Sequence, residues 1–245
     1  MPFEPLGSLL AWQPPAIPYW IGNHILPQSS KICIFAGPKK MKSILAQQIC
    51  FCLSSGEPFL GYTTVQCKVG YLQCEIGKAE FQKRVWKMSH NIPTVPNASL
   101  FFDTNLTFKL DRAKDLLALE NSIIRNNIQV LVLDPWYKML TVEDNAAYHR
   151  TGDTMDYLIQ KLGISIIMIH HDTVPFIDQA GNEVQRFHPR GPRTDVEGWF
   201  DTIIQMTGNI ENDDRKLSFI SRHSPDLMLP VEITLNRSRL WFEVL

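Results

Sequence analysis

"KICIFAGPKKMKSILAQQICFCLSSG" (residues 31–56) opens with a β-branched, apolar run that ends in Gly37, and turns helical from Ser43 until it stops at Ser54, Ser55 and Gly56. Such a stretch reads as strand, loop, helix. Residues 36–43 lie on the pattern G-x-x-x-x-G-K-[ST], in which backbone N–H groups and a helix N-terminus cradle phosphates, a lysine reaches the terminal ones and a hydroxyl ligates magnesium. Lys42 and Ser43 keep the side-chain chemistry, while Ala36 and Met41 stand at the two glycine positions. Those glycines serve backbone geometry, so their replacement weakens the match without removing the chemistry. Taken alone, the octapeptide is poor evidence, and an ordinary Lys-Ser pair at a helix start is the better reading of it.

The same alternation continues along the chain. "VGYLQCE" (69–75) and "ASLFFD" (98–103) read as strands around an amphipathic helix, "KAEFQKRVWKMSH" (78–90). "RAKDLLALENSIIRNN" (112–127) has apolar residues at helical spacing and leads into "IQVLVLD" (128–134), a run too apolar for a half-exposed strand. A helix over roughly 150–162 leads to "ISIIMIHH" (164–171). Strands alternating with helices imply right-handed crossovers and a mostly parallel, twisted sheet covered on both faces, an α/β fold. The last third differs: "FDTIIQMTG" (200–208), "KLSFISRH" (216–223), "PVEITLN" (230–236) and "RLWFEV" (239–244) are short runs between tight turns, expected as antiparallel strands at the C-terminal sheet edge. Residues 1–30, rich in proline, are expected as an extended arm across the surface, with one domain over 31–245.

"VLVLDPW" (130–136) places Asp134 at the C-terminal end of a buried parallel strand. Ligands of open α/β sheets bind off that edge. A carboxylate there can hold the magnesium of a nucleotide lying on the loop after the first strand; the plain alternative is an Asp capping the turn before Pro135. With both motifs in order on suitable elements, the nucleotide reading outweighs the bland one.

Composition sets outer limits. The chain of 245 residues is 44% hydrophobic and carries a net charge of -1, so no overall basic field holds it on nucleic acid or an anionic membrane. Cys33, Cys50, Cys52, Cys67 and Cys74 are odd in number, lie in or beside apolar runs and lack metal-binding spacing, which reads as buried, reduced thiols. No apolar run approaches the roughly 20 residues of a membrane span, and the N-terminal stretch lacks a basic, apolar leader pattern. A cytoplasmic protein is expected, with no membrane partner.

These motifs together resemble the RecA-like P-loop ATPases, and within them the branch of RepA-type hexameric replicative helicases, with KaiC- and RadA-like proteins as more distant relatives. The segment "PPAIPYWIGNHILPQSSKICIFAGPKKMKS" resembles that branch's entry, whose phosphate loop often carries Pro-Lys where Pro38 and Lys39 stand and tolerates a bulky residue at Met41; Ala36 remains a departure. "LSSGEPFLGYTTVQCKVGYLQCE" resembles the stretch that delivers a catalytic glutamate, here Glu75; "LVLDP" resembles the Walker B strand, "IIMIHH" a strand ending in paired histidines, and "RGPRTDVEGWFDTIIQM" the segment after it. The resemblance implies ATP bound by Ala36, Gly37, Pro38, Lys39, Lys40, Met41, Lys42 and Ser43, and Mg2+ on Ser43 and Asp134. It also implies catalytic roles for Lys42 and for Glu75, whose carboxylate polarises water in line with the γ-phosphate. A salt bridge of Glu75 to Lys78 or Arg84 is the alternative. His170 and His171 are implied as γ-phosphate sensors, against a satisfied polar pair at a strand end.

Motors of this kind hold nucleic acid with the loops after the Walker B strand and after the next one. Here those are "WYKMLTVEDNAAYHRTGD" (136–153), with Lys138 and Arg150, and "DTVPFIDQAGNEVQRFHPRGPRTD" (172–195), where Arg186, Arg190 and Arg193 interleave with Phe187 and His188. Relatives often carry a Lys-x-Arg pair on the strand "KLSFISRHS" (216–224); here Ile220 takes the lysine position and Arg222 remains as the implied finger toward a neighbour, or as a partner of Asp226 or Glu232 within its own subunit. The expected function is a ring-forming ATPase, a hexamer, that moves along single-stranded DNA as a plasmid or phage replicative helicase, with a primase or replication initiator as further partner. A recombination protein or a KaiC-like regulatory ATPase without unwinding stands as the alternative.

Overall fold

The computed structural model describes residues 3–13, 18–93, 98–172, 176–177, 183–184, 196–222, 224 and 228–245. Their centre is a nine-stranded sheet formed by β1 (Lys31–Ala36), β2 (Val69–Gln73), β3 (Leu100–Thr104), β4 (Val130–Asp134), β5 (Ser165–His171), β6 (Thr202–Thr207), β7 (Asp214–Ser221), β8 (Val231–Asn236) and β9 (Trp241–Val244). The spatial order is β9-β8-β7-β6-β1-β5-β4-β2-β3. All neighbours from β6 to β3 are parallel, and β7, β8 and β9 are added antiparallel. The central parallel strands β1, β2, β4 and β5, buried on both faces, need the continuous apolar runs read from the sequence. The run containing β6 departs from expectation. It pairs parallel to β1, with Thr202 opposite Ile32, and antiparallel to β7 on its other side.

Helices cover both faces. Under α1 (Lys42–Ser55) and α2 (Lys78–Ser89) lies one apolar cluster, and under α3 (Ala113–Asn126) and α4 (Asn145–Leu162) a second. The most enclosed helix is α1: residues from Lys42 to Ser54 are buried on nearly every side. The antiparallel strands account for this. Gln48 clamps β9 by donating from Nε2 to the Phe242 carbonyl at 2.9 Å and accepting from the Phe242 N–H at 2.8 Å. At its end Gly56 adopts φ 79° and donates to the Cys52 carbonyl, a left-handed cap that glycine takes without strain.

Two boundaries moved. The helix expected over roughly 150–162 begins at Asn145, because the Asp144 side chain accepts the Ala147 N–H at 2.7 Å and caps it. Residues 19–27, expected within a surface arm, instead form a hairpin of Tyr19–Ile21 and Leu26–Pro27 whose Trp20, Ile21, Ile25 and Leu26 are buried. The short helix Leu6–Ala11 before it is exposed. All five cysteines are buried thiols outside any disulfide.

Candidate nucleotide site

Side-chain alternation decides what can meet at the C-terminal edge of the parallel strands. Ile32, Ile34 and Ala36 of β1, Val130 and Val132 of β4, and Ile167 and Ile169 of β5 pack beneath α1; Cys33, Phe35, Leu131, Leu133, Ile166 and Met168 pack on the other face. Carried one step further, this period of two brings Asp134 and His171 to the α1 side and sends His170 to the other. The paired histidines are therefore split by the sheet. His171 Nδ1 lies 3.5 Å from Lys42 Nζ, whereas the buried His170 ring stands 5.2 Å from Trp136 and 5.5 Å from Tyr148. Of the two, only His171 reaches the site.

The loop between β1 and α1 takes a phosphate-loop course without its glycines. Lys39 and Met41 adopt left-handed φ values of 59° and 69°, and right- and left-handed residues in succession turn backbone N–H groups into an anion-binding concavity. Ala36 ends β1 with its side chain buried beneath α1, and its carbonyl accepts from the Asp172 N–H at 3.0 Å and from Lys42 Nζ at 2.9 Å. Lys42 also donates to the Gly37 carbonyl at 2.9 Å. Burial lowers the pKa of its ammonium to about 8, against the attraction of Asp134, Glu75 and Asp172. Lys40, whose pKa is lowered by burial and by Arg215, donates to the Gly208 carbonyl. Pro38 and Lys39 face solvent.

Asp134 is buried, and its Oδ2 accepts a hydrogen bond from the Tyr71 hydroxyl. Burial raises its pKa, and the Tyr71 and Ser43 hydroxyls and Lys42 pull it back. Oδ1 has no hydrogen-bonding partner among the described residues. A buried, unsatisfied carboxylate oxygen is costly unless something fills the place. Glu75 stands two residues beyond β2, exposed, and its charge acts on both Lys42 and Asp134. Its Oε1 accepts from the Tyr137 hydroxyl at 3.1 Å, a partner other than the Lys78 or Arg84 that the alternative required.

Other expected residues lie elsewhere. Lys138 is exposed in the single-turn helix Trp136–Met139, and Arg150 is exposed on α4 instead of in a loop. Arg186, Arg190 and Arg193, with Phe187 and His188, lie outside the described residues, as does Asp226. Arg222 sits beside the start of β6, since Ser221 pairs with Thr202 and Thr202 with Ile32. That is the opposite sheet edge, about 16 Å of strand from the phosphate loop. There it donates through Nη2 to the Gly198 carbonyl and through its backbone to Asp201, and not to Glu232. It cannot serve the site of its own chain.

Sequence reasoning missed three residues. Tyr71 and Tyr137 hold the two acidic groups, and the buried Arg215 holds the β6–β7 turn by donating to the carbonyls of Asn209, Asn212 and Asp214, reaching the Lys40 carbonyl at 3.4 Å.

A parallel sheet whose first strand delivers a phosphate loop, with a lysine, a hydroxyl and a buried carboxylate on one face of its C-terminal edge, defines a RecA-like P-loop ATPase. The chain belongs to the AAA domain family, whose model matches residues 3–174. Among solved structures, a KaiC-like protein from the hyperthermophilic archaeon Pyrococcus horikoshii superposes with a TM-score of 0.63 at 11% identity, covering 92% of this chain and 93% of that one. A search of curated proteins finds no match. The family implies nucleotide binding together with magnesium, and the residues fit: Ser43 and the unpartnered Oδ1 of Asp134 would hold the ion, and the left-handed loop and Lys42 the phosphates. Bound there, magnesium would supply neutralisation of phosphate charge. Among the described residues no helix is long and apolar enough to cross a membrane.

Proposed function

We propose that the protein hydrolyses ATP as a ring, a hexamer in the closest reading, and couples hydrolysis to movement along single-stranded DNA in the manner of RepA-type replicative helicases. The observation that carries the hydrolytic part is the convergence of Lys42, Asp134 and Glu75 at one sheet edge, with an unpartnered carboxylate oxygen at its centre. In this reading Lys42 binds the terminal phosphates, Glu75 accepts a proton from the attacking water, and His171, beside Lys42, responds to phosphate occupancy.

Two features support the motor part. Lys138 is exposed on the segment directly after β4, on the same edge as the site. Arg222 stands at the far edge, where it is of use to a nucleotide only if a second subunit brings its phosphate loop there. ATPase rate with and without single-stranded DNA, with the mass of the assembly in a non-hydrolysable ATP analogue, tests the whole reading. Stimulation by DNA and a ring-sized mass are expected. Turnover that DNA does not stimulate would instead favour a KaiC-like regulatory ATPase without unwinding.

A further inference from the structure

Tyr137 is mounted more firmly than a residue in a surface connection needs to be. Its neighbour Trp136 is fully buried and donates from Nε1 to Thr151 Oγ1 at 2.9 Å. On the other side, the Leu110 N–H donates to the Met139 carbonyl at 2.8 Å, and Lys109 Nζ to the carbonyls of Lys138 and Leu140 at 2.7 and 2.9 Å. Thr141 is tied to Asp111 through both its N–H and its hydroxyl. The Tyr137 ring packs edge-on against His171, centroids 5.0 Å apart at 68°.

From this mount the hydroxyl points at one target, Glu75 Oε1, 3.1 Å away. Glu75 itself is exposed and sits beyond the end of β2, its backbone N–H donating to Gln73 Oε1 at 2.6 Å. An exposed glutamate samples many rotamers, and a hydrogen bond from a fixed donor to its charged oxygen selects among them. The selected one keeps the carboxylate close enough to Lys42 and Asp134 for its charge to act on both.

We infer that Tyr137 is a positioning residue for hydrolysis: its hydroxyl, held by the segment after β4, aims the Glu75 carboxylate into the nucleotide site. The inference rests on the reading of Glu75 as the group that activates water. It assigns no chemistry to Tyr137 itself.

The test compares the full chain with Tyr137→Phe, Glu75→Gln and the double variant, measuring steady-state ATP turnover and the affinity of a fluorescent non-hydrolysable ATP analogue. Phenylalanine keeps the ring against His171 and removes only the hydroxyl. Tyr137→Phe is expected to lower kcat on the order of tenfold, the usual effect of losing a hydrogen bond to a charged group, and to leave analogue affinity within about twofold. In the Glu75→Gln background the same substitution is expected to cost less than about twofold, because two residues acting as one unit are not additive. Parental kcat in Tyr137→Phe, a gain in kcat, lost analogue binding, or an undiminished tenfold effect in the double variant would each overturn the inference. Slow Glu75→Gln with normal Tyr137→Phe sinks the inference alone; unaffected Glu75→Gln sinks the reading of Glu75 and the inference with it.

Discussion

Met41 stands where the phosphate-loop pattern has its second glycine, with its backbone at φ 69° and ψ 27°. A left-handed conformation costs a residue with a Cβ about 1–2 kcal/mol. Glycine at this position recovers that strain and loses about 0.5–1 kcal/mol to a freer unfolded chain. It also gives up burial worth about 1 kcal/mol, since Met41 is only partly buried against the cluster beneath α1. These contributions nearly cancel. Met41→Gly is therefore expected to unfold in urea within about 1 kcal/mol of the parent and to bind the fluorescent ATP analogue within about threefold. Met41→Ile is expected to behave otherwise, because a β-branched residue is a genuine outlier at positive φ. The loop then either keeps its course under greater strain or relaxes and takes its amides off the phosphates. Analogue affinity is expected to fall about tenfold, the equivalent of about 1.4 kcal/mol. Equal affinity in the glycine and isoleucine variants would refute the claim that backbone geometry at this position builds the site.

Lys42→Ala is expected to abolish analogue binding and turnover, and unchanged ATPase activity would remove the nucleotide site altogether. Asp134→Asn should weaken magnesium-dependent binding, whereas Glu75→Gln should bind ATP and hydrolyse it slowly; equal loss of binding in both would show that Glu75 is misassigned. Burial pushes the thiols of Cys52, Cys67 and Cys74 up to about 12 from an ordinary 9, so their contribution to stability is complete below pH 9 and is lost as pH rises from 9 through 12. The urea midpoint should fall across that window, and a Cys52→Ala, Cys67→Ala, Cys74→Ala triple variant that falls as steeply would contradict the assignment. For the proposed ring, Arg222→Ala mixed with Lys42→Ala should recover some turnover, because an intact site then faces an intact arginine at some interfaces; about 10³ in rate is typical of such fingers. A co-assembled mixture no more active than its parts would leave Arg222 a local tie to Gly198.

The strand–loop–helix of residues 31–56, the apolar runs ending at Asp134 and His171, and the Lys42–Ser43 pair were all legible because each rests on periodicity or on neighbours a few residues apart. The residues that hold the acidic groups were not. Tyr137 and Glu75 are 62 positions apart, Tyr71 and Asp134 63, and Arg215 and Lys40 175. Nothing in a local pattern selects such pairs.

From the residues alone came the element types, the mostly parallel sheet and the chemistry of the phosphate loop, since hydrophobic period, helix-start chemistry and turn residues are properties of short segments. Tertiary structure alone decided that β5 lies between β1 and β4, and that β6 runs parallel to β1. It also decided that His171 and not His170 meets Lys42, and that Arg222 stands at the edge away from its own site. Strand order and direction are chosen by which apolar faces can be buried together, and each such choice fixes the position of side chains that the sequence leaves far apart.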